Sequence, residues 1–347
     1  MKKLFVGLAA SLLLSLAVTA EEVQIRDDRP DSYRVTEGDT LWDISGKFLE
    51  NPWMWPEIWQ VNPQIDNPHL IYPGDVITLV YLDGKPRLAI ERGVPTTKLS
   101  PGTEKLSPKI RYQPVAAAIP AIPLDAINAF LTGSRIVTPE QYTDAPYVLA
   151  GEDARLITGA GDHLYARGEI DENVPVYGIY RKGKSFKDPV TGEFLGYQAL
   201  DVGAASVAAI NGDIATMNVT RTTQEILIED RLLPSADRAV ESTFYPKAPD
   251  QDINGVIMTV EGGVTQVGRM NVVAINRGSR ESLRAGDILA ILKDGPIVPD
   301  RITGKNVKLP DEKAGLLMVF RVFEKMSFAI VLDAKRPLAI NDKVVNP

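Results

Sequence analysis

No cysteine occurs among the 347 residues, and only two histidines do, His69 and His163. The first absence rules out disulfides, a thiol nucleophile and lipidation at a cysteine. The second leaves too few imidazoles for a zinc centre built on two or three convergent histidines. A Ser-His-Asp triad would need one of these two rings beside a serine elbow, and no Gly-x-Ser-x-Gly stands in the chain. Tryptophan is also scarce: all 4 residues fall between Trp42 and Trp59. A clustered basic face is missing. The formal net charge is −7, with acidic residues spread along the chain, which argues against nucleic acid as a partner. Beyond residue 20 no apolar run is long enough to span a bilayer as a helix.

What is present begins with a three-part leader. Lys2 and Lys3 precede an apolar run from Leu4 to Val18, and Val18-Thr19-Ala20 ends in small residues. This is the pattern of a secretory signal peptide cleaved after Ala20, the alternative being an uncleaved anchor. Export without cysteine implies an envelope protein held together by ordinary apolar cores.

Residues 33–49, YRVTEGDTLWDISGKFL, combine two periodicities. Tyr33 and Val35 alternate with polar neighbours as in a strand, and Gly38-Asp39 forms a turn. Thr40 and Asp43 carry the spacing of a helix cap, while Leu41, Ile44 and Phe48 share one helical face. A second helix is expected from Pro56, with Ile58 and Val61 inward and Pro63 as its stop. Asn67-Pro68 is a turn, and Ile71-Tyr-Pro-Gly-Asp75 leads into a strand at Val76–Leu79.

The series Tyr-x-Val-x-x-Gly-Asp-Thr-Leu-Trp-x-Ile, then Asn-Pro, then Ile-Tyr-Pro-Gly-Asp, resembles the LysM domain. That family is a βααβ module that binds N-acetylglucosamine polymers such as peptidoglycan and chitin. The resemblance covers residues 32–82. It implies a glycan site on two neighbouring loops: Gly38, Asp39, Thr40 and Leu41 on one, and Asn67, Pro68, His69, Leu70 and Ile71 on the other. Backbone groups in tight turns would pair with the N-acetyl group, and many equivalent sugars along one polymer would offset weak affinity for each. Gly38, Gly74, Asp39 and His69 each have a purely local alternative role in turns, caps or loop hydrogen bonds. Trp42 and Trp59 are expected in the core. Trp53 and Trp55 lie in a segment longer than in the shortest members, with no evident buried face, and are expected to be exposed.

Residues 83–123 hold seven prolines and a local excess of positive charge, and read as a semi-extended linker. LDAINAFL at 124–131 has the spacing of a short helix. Beyond it, short apolar runs separated by Gly, Asp, Asn and Pro predict strands. Residues 174–234 set against 286–346 align without gaps: Ile179 with Ile291, Asp188-Pro-Val-Thr-Gly192 with Asp300-Arg-Ile-Thr-Gly304, Gly203 with Gly315, Val219 with Val331. This predicts a duplicated β-rich region, 124–235 and 250–347. The paired aspartates then serve turns and are not a catalytic dyad.

The expected fold class is therefore α+β multidomain: a βααβ module, a Pro-rich linker and two β-rich repeats. The expected function is non-catalytic glycan binding in the periplasm or cell envelope, with no cofactor and no metal. Two alternatives stand beside it: a scaffold whose repeats bind an envelope protein, and a peptidoglycan hydrolase. The hydrolase alternative has the residue inventory against it, and a β-rich body does not suit a lysozyme-like cleft.

Overall fold

The computed structural model describes residues 23–59, 71–91, 120–122, 127, 130, 134–235, 244–260 and 267–347. The leader, most of the linker and most of the 124–131 helix lie outside the described residues.

The N-terminal unit follows the predicted order. Strand β1 (Ser32–Arg34) leads to helix α1 (Leu41–Phe48), a 3-10 turn at Pro52–Met54, helix α2 (Trp55–Trp59) and strand β2 (Val76–Leu82). Thr40 caps α1, its Oγ1 accepting from the Asp43 amide at 3.1 Å. Strand β3 (Lys85–Glu91) was not expected, because Pro86 and the charges around it read as linker. It pairs antiparallel with β2 along its whole length. Pro86 sits on an outer strand, where a missing N–H costs least. The sheet is thus three-stranded, in the order β1-β2-β3.

Next come β4 (Ser134–Val137), a short helix α3 (Pro139–Asp144) and β5 (Tyr147–Gly151). Then follow β6 (Ile157–Thr158), β7 (His163–Arg167), β8 (Val176–Lys187), β9 (Phe194–Asn211), β10 (Ile214–Thr222), β11 (Ile226–Leu227) and β12 (Arg231–Pro234). Six of these strands close on themselves in the order β10-β7-β5-β12-β8-β9, with β9 returning to β10 and β4 added beside β9. The last unit contains β13 (Asn254–Val260), β14 (Val272–Ile275), β15 (Ile288–Lys293), β16 (Ile297–Pro299), β17 (Asn306–Lys308), β18 (Glu312–Val322), β19 (Ser327–Ala334) and β20 (Lys343–Val345). It forms a closed barrel, β13-β14-β19-β18-β15-β20.

The two barrels have the same strand order, and their ladders share a register. Ile179 faces Gly203 and Leu232 in the first; adding 112 gives Ile291 facing Gly315 and Val344 in the second. The shared glycines have a physical reason. A Cβ on Gly315 would stand 2.3 Å from the Asp333 carbonyl oxygen, and one on Gly203 2.7 Å from that of Arg221. Crossing strands approach too closely there for any side chain.

The barrels differ on their outsides. In β10 buried and open residues alternate, as expected for a strand with one wet face, whereas the first six residues of β19 are all buried. The outer face of β14, β18 and β19 carries Ala274, Met318, Phe320, Phe328 and Ile330. It belongs to one apolar cluster with Trp55, Ile58 and Ile122. The N-terminal unit is docked on the second barrel.

Candidate functional site

Two turns of one design lie beside each other on the N-terminal unit. In the first, the Asp39 amide donates to the Thr36 carbonyl and the Thr36 amide to Asp39 Oδ2 at 2.8 Å, with Gly38 at φ +91°. In the second, Asp75 closes on Tyr72 in the same way, with Gly74 at φ +100°. Positive φ at this position calls for glycine. Two hydrogen bonds clip the turns together: Val35 N–H to the Asp75 carbonyl at 2.9 Å and Gly74 N–H to the Val35 carbonyl at 2.8 Å. Asp39 is heavily committed, since its Oδ2 also accepts from Thr36 Oγ1 and from Tyr33 Oη at 2.9 Å. The carboxylate holds the turn, while Thr40 caps the helix.

Of the residues the resemblance points to, Gly38 is exposed and Asp39 half-buried, whereas Thr40, Leu41 and Ile71 are buried. The last three therefore offer backbone groups to a ligand and keep their side chains in the core. Asn67, Pro68, His69 and Leu70 lie outside the described residues. The first-turn amides of α1 point outwards and have no partner within the helix. They meet the chain's own later segment: Leu41 N–H donates to the Pro120 carbonyl at 3.1 Å and Trp42 N–H to the Ala121 carbonyl at 3.2 Å. Ala121 and Ile122 are buried against the same unit, at 5% and 1% exposure. Sequence reasoning missed this contact. An apolar triplet inside a proline-rich stretch gives no sign of where it lands.

All four tryptophans are buried, which corrects the expectation for Trp53 and Trp55. The segment holding them coils into the 3-10 turn and runs straight into α2. That turns both rings inward: Trp55 packs at 6.5 Å from Trp59 and at 6.3 Å from Tyr245, on the approach to the second barrel. Neither ring is a sugar platform here.

His163 lies on β7, hydrogen-bonded through Nδ1 to Asn218 on β10 at 2.6 Å. Asp188 and Asp300 each organise a hairpin tip, as expected: the amides of Val190 and Ile302 donate to their carboxylates at 2.7 and 2.8 Å. The Asp300 carboxyl is held below the usual range by Thr303 and the turn amides. Burial pushes the Asp188 carboxyl up, but the Val190 amide and the Asn276 side chain outweigh it and hold it low.

The family model for the LysM domain matches residues 33–80. The protein YqbP of Bacillus subtilis (strain 168) is 38% identical over 60 residues, a match spanning 14% of this chain and 27% of that protein. LysM domains in general bind peptidoglycan and other N-acetylglucosamine polymers, and they are typical of cell-envelope or extracellular proteins of bacteria. No helix among the described residues is long and apolar enough to cross a membrane. With its paired turns, capped helix and flanking strands in the family's order, the chain is a LysM domain-containing protein.

Proposed function

We propose that this protein binds the glycan strands of peptidoglycan without cleaving them, through the two clipped turns, and that its barrels are carried to the wall by that contact. The observation that bears most weight is the pair of outward amides on Leu41 and Trp42 beside the Thr36–Asp39 turn. An amide pair at a helix start takes a carbonyl oxygen well, and the acetamido group of N-acetylglucosamine supplies one. Within the chain, Pro120 and Ala121 supply those oxygens. Glycan binding on this reading is an exchange, in which the sugar's acetamido carbonyl displaces the chain's own. The matching strand order and register of the barrels support an origin by duplication. Export and an envelope location follow from the leader and from the ligand.

Purified sacculi mixed with the full chain test the binding: the protein is expected in the pellet, competed off by chitooligosaccharides. Failure to bind even after the 120–122 segment has been opened by substitution would sink the reading. A lytic band on a murein zymogram would overturn its non-catalytic part.

A further inference from the structure

The β8–β9 hairpin of the first barrel reaches the second. Strands β8 and β9 run past the barrel wall, and their tip, Asp188–Glu193, is seated on the second barrel. Glu193 bonds to Arg280 at 2.9 Å and to Lys325 at 3.0 Å, and Asp188 accepts from Asn276 Nδ2 at 3.0 Å. Behind the tip, Phe186 and Leu195 are each 5% exposed, and the Phe186 ring meets Phe328 at 6.4 Å.

The shift of 112 that relates the two ladders turns this hairpin into β16–β17, with its tip at Asp300–Lys305. The tips are built alike: Gly192 N–H donates to the Asp188 carbonyl and Gly304 N–H to that of Asp300, both at 2.8 Å. Their surroundings differ. Val307, the counterpart of Leu195, is 44% exposed, and Val298, the counterpart of Phe186, is only half-buried, while the tip residues Val190 and Ile302 are exposed in both hairpins. This hairpin repeats the build of the docked one, and among the described residues none forms an ion pair with Lys305 as Arg280 and Lys325 do with Glu193.

Its charge indicates where it goes. The same shift places Lys305 at the position of Glu193, and Asp213, on the first barrel, at the position of Lys325. The ion pair Glu193–Lys325 thus has a counterpart of opposite sign on both sides, Lys305 and Asp213. Asp213 is 62% exposed and pairs with Arg167 at 2.8 Å. Beside it, Ile214 and Tyr165 are open to solvent and would receive the apolar hairpin. The reversal also discriminates. Glu193 of one molecule is repelled by Asp213 of another, and Lys305 by Lys325, so each hairpin matches one barrel only.

We propose that the β16–β17 hairpin docks on the outer face of β7 and β10 in a second copy of this chain, with Lys305 against Asp213, repeating between molecules the contact the first hairpin makes within one. Such a contact joins two different surfaces of the chain: it closes as a two-fold dimer where each copy's hairpin reaches the other's barrel, and otherwise extends into rings or filaments. A single hairpin buries little area, so the association is weak and salt-sensitive in solution.

Sedimentation velocity of the full chain, over rising concentration at low salt, tests this. Species of two copies or more are expected, their share rising with concentration. Lys305→Glu and Asp213→Lys should each weaken assembly about tenfold, and the two together should restore it, with melting unchanged by Lys305→Glu and slightly lowered by Asp213→Lys, which breaks the pair with Arg167. Wild-type chain that stays monomeric at every concentration, or a double variant no better than the singles, would overturn the proposal.

Discussion

Replacing Ile122 by aspartate should open the segment lying on the α1 amides and strengthen glycan binding. Ile122 is 1% exposed, so its side chain contributes about 2–3 kcal/mol of burial to the closed state. The Leu41–Pro120 and Trp42–Ala121 hydrogen bonds add about 1 kcal/mol each. Ordering the backbone of residues 120–122 opposes this by about 1–2 kcal/mol per residue. The sum lies between about −2 and +2 kcal/mol, close enough to balance for a sugar to displace the segment. Closure favoured by about 1–2 kcal/mol, the upper part of that range, lowers apparent affinity by about five- to thirtyfold. A charged side chain cannot occupy the Ile122 site, so Ile122→Asp should recover most of that factor, whereas Ile122→Val should leave affinity nearly unchanged. Titration calorimetry with a chitooligosaccharide reads the affinity. Tryptophan emission checks the module, because all 4 tryptophans lie within it. An opened variant with native emission and unchanged or weaker binding would refute the exchange.

Further expectations concern the barrels and the turns. Gly315→Ala should destabilise the chain by about 3 kcal/mol or more in urea unfolding, and Gly203→Ala by less, because the backbone oxygen is nearer in the first case; equal effects would contradict that ranking, and no loss at either site would contradict the shared close approach. Hydrogen bonds from Arg280 and then Lys325 hold the Glu193 carboxyl below its usual range. A depressed carboxylate contributes stability that is present above its unfolded pKa and lost as pH falls through the folded one. Acid should therefore loosen the joint between the barrels, and Glu193→Gln should flatten that part of the stability–pH curve below about pH 4.5. Asp39→Ala removes the acceptor for Thr36 and Tyr33 and should lower the LysM module's stability by about 1–2 kcal/mol, with Asp39→Asn recovering part of it. Denaturation followed by tryptophan emission distinguishes the two.

Much of the local architecture follows from residues close together in the chain. Thr40 with Asp43, Gly38 before Asp39, and the alternation in Ala215–Arg221 need only near neighbours to take up cap, turn and strand. The repeat was visible as spaced glycines and aspartates for the same reason, since turn geometry restricts residue type wherever it recurs. Tertiary structure decided what lies against what. Trp53 and Trp55 looked exposed because their burial depends on how the 3-10 turn and α2 pack in the folded module and, for Trp55, on Tyr245 far along the chain. Lys85–Glu91 looked like linker because its strand identity comes from β2. The seat of Pro120 and Ala121 on α1 and the unmatched hairpin at Asp300–Lys305 left no local trace. Contact between distant segments follows from the summed shape and charge of whole surfaces, and no short stretch of sequence carries that sum.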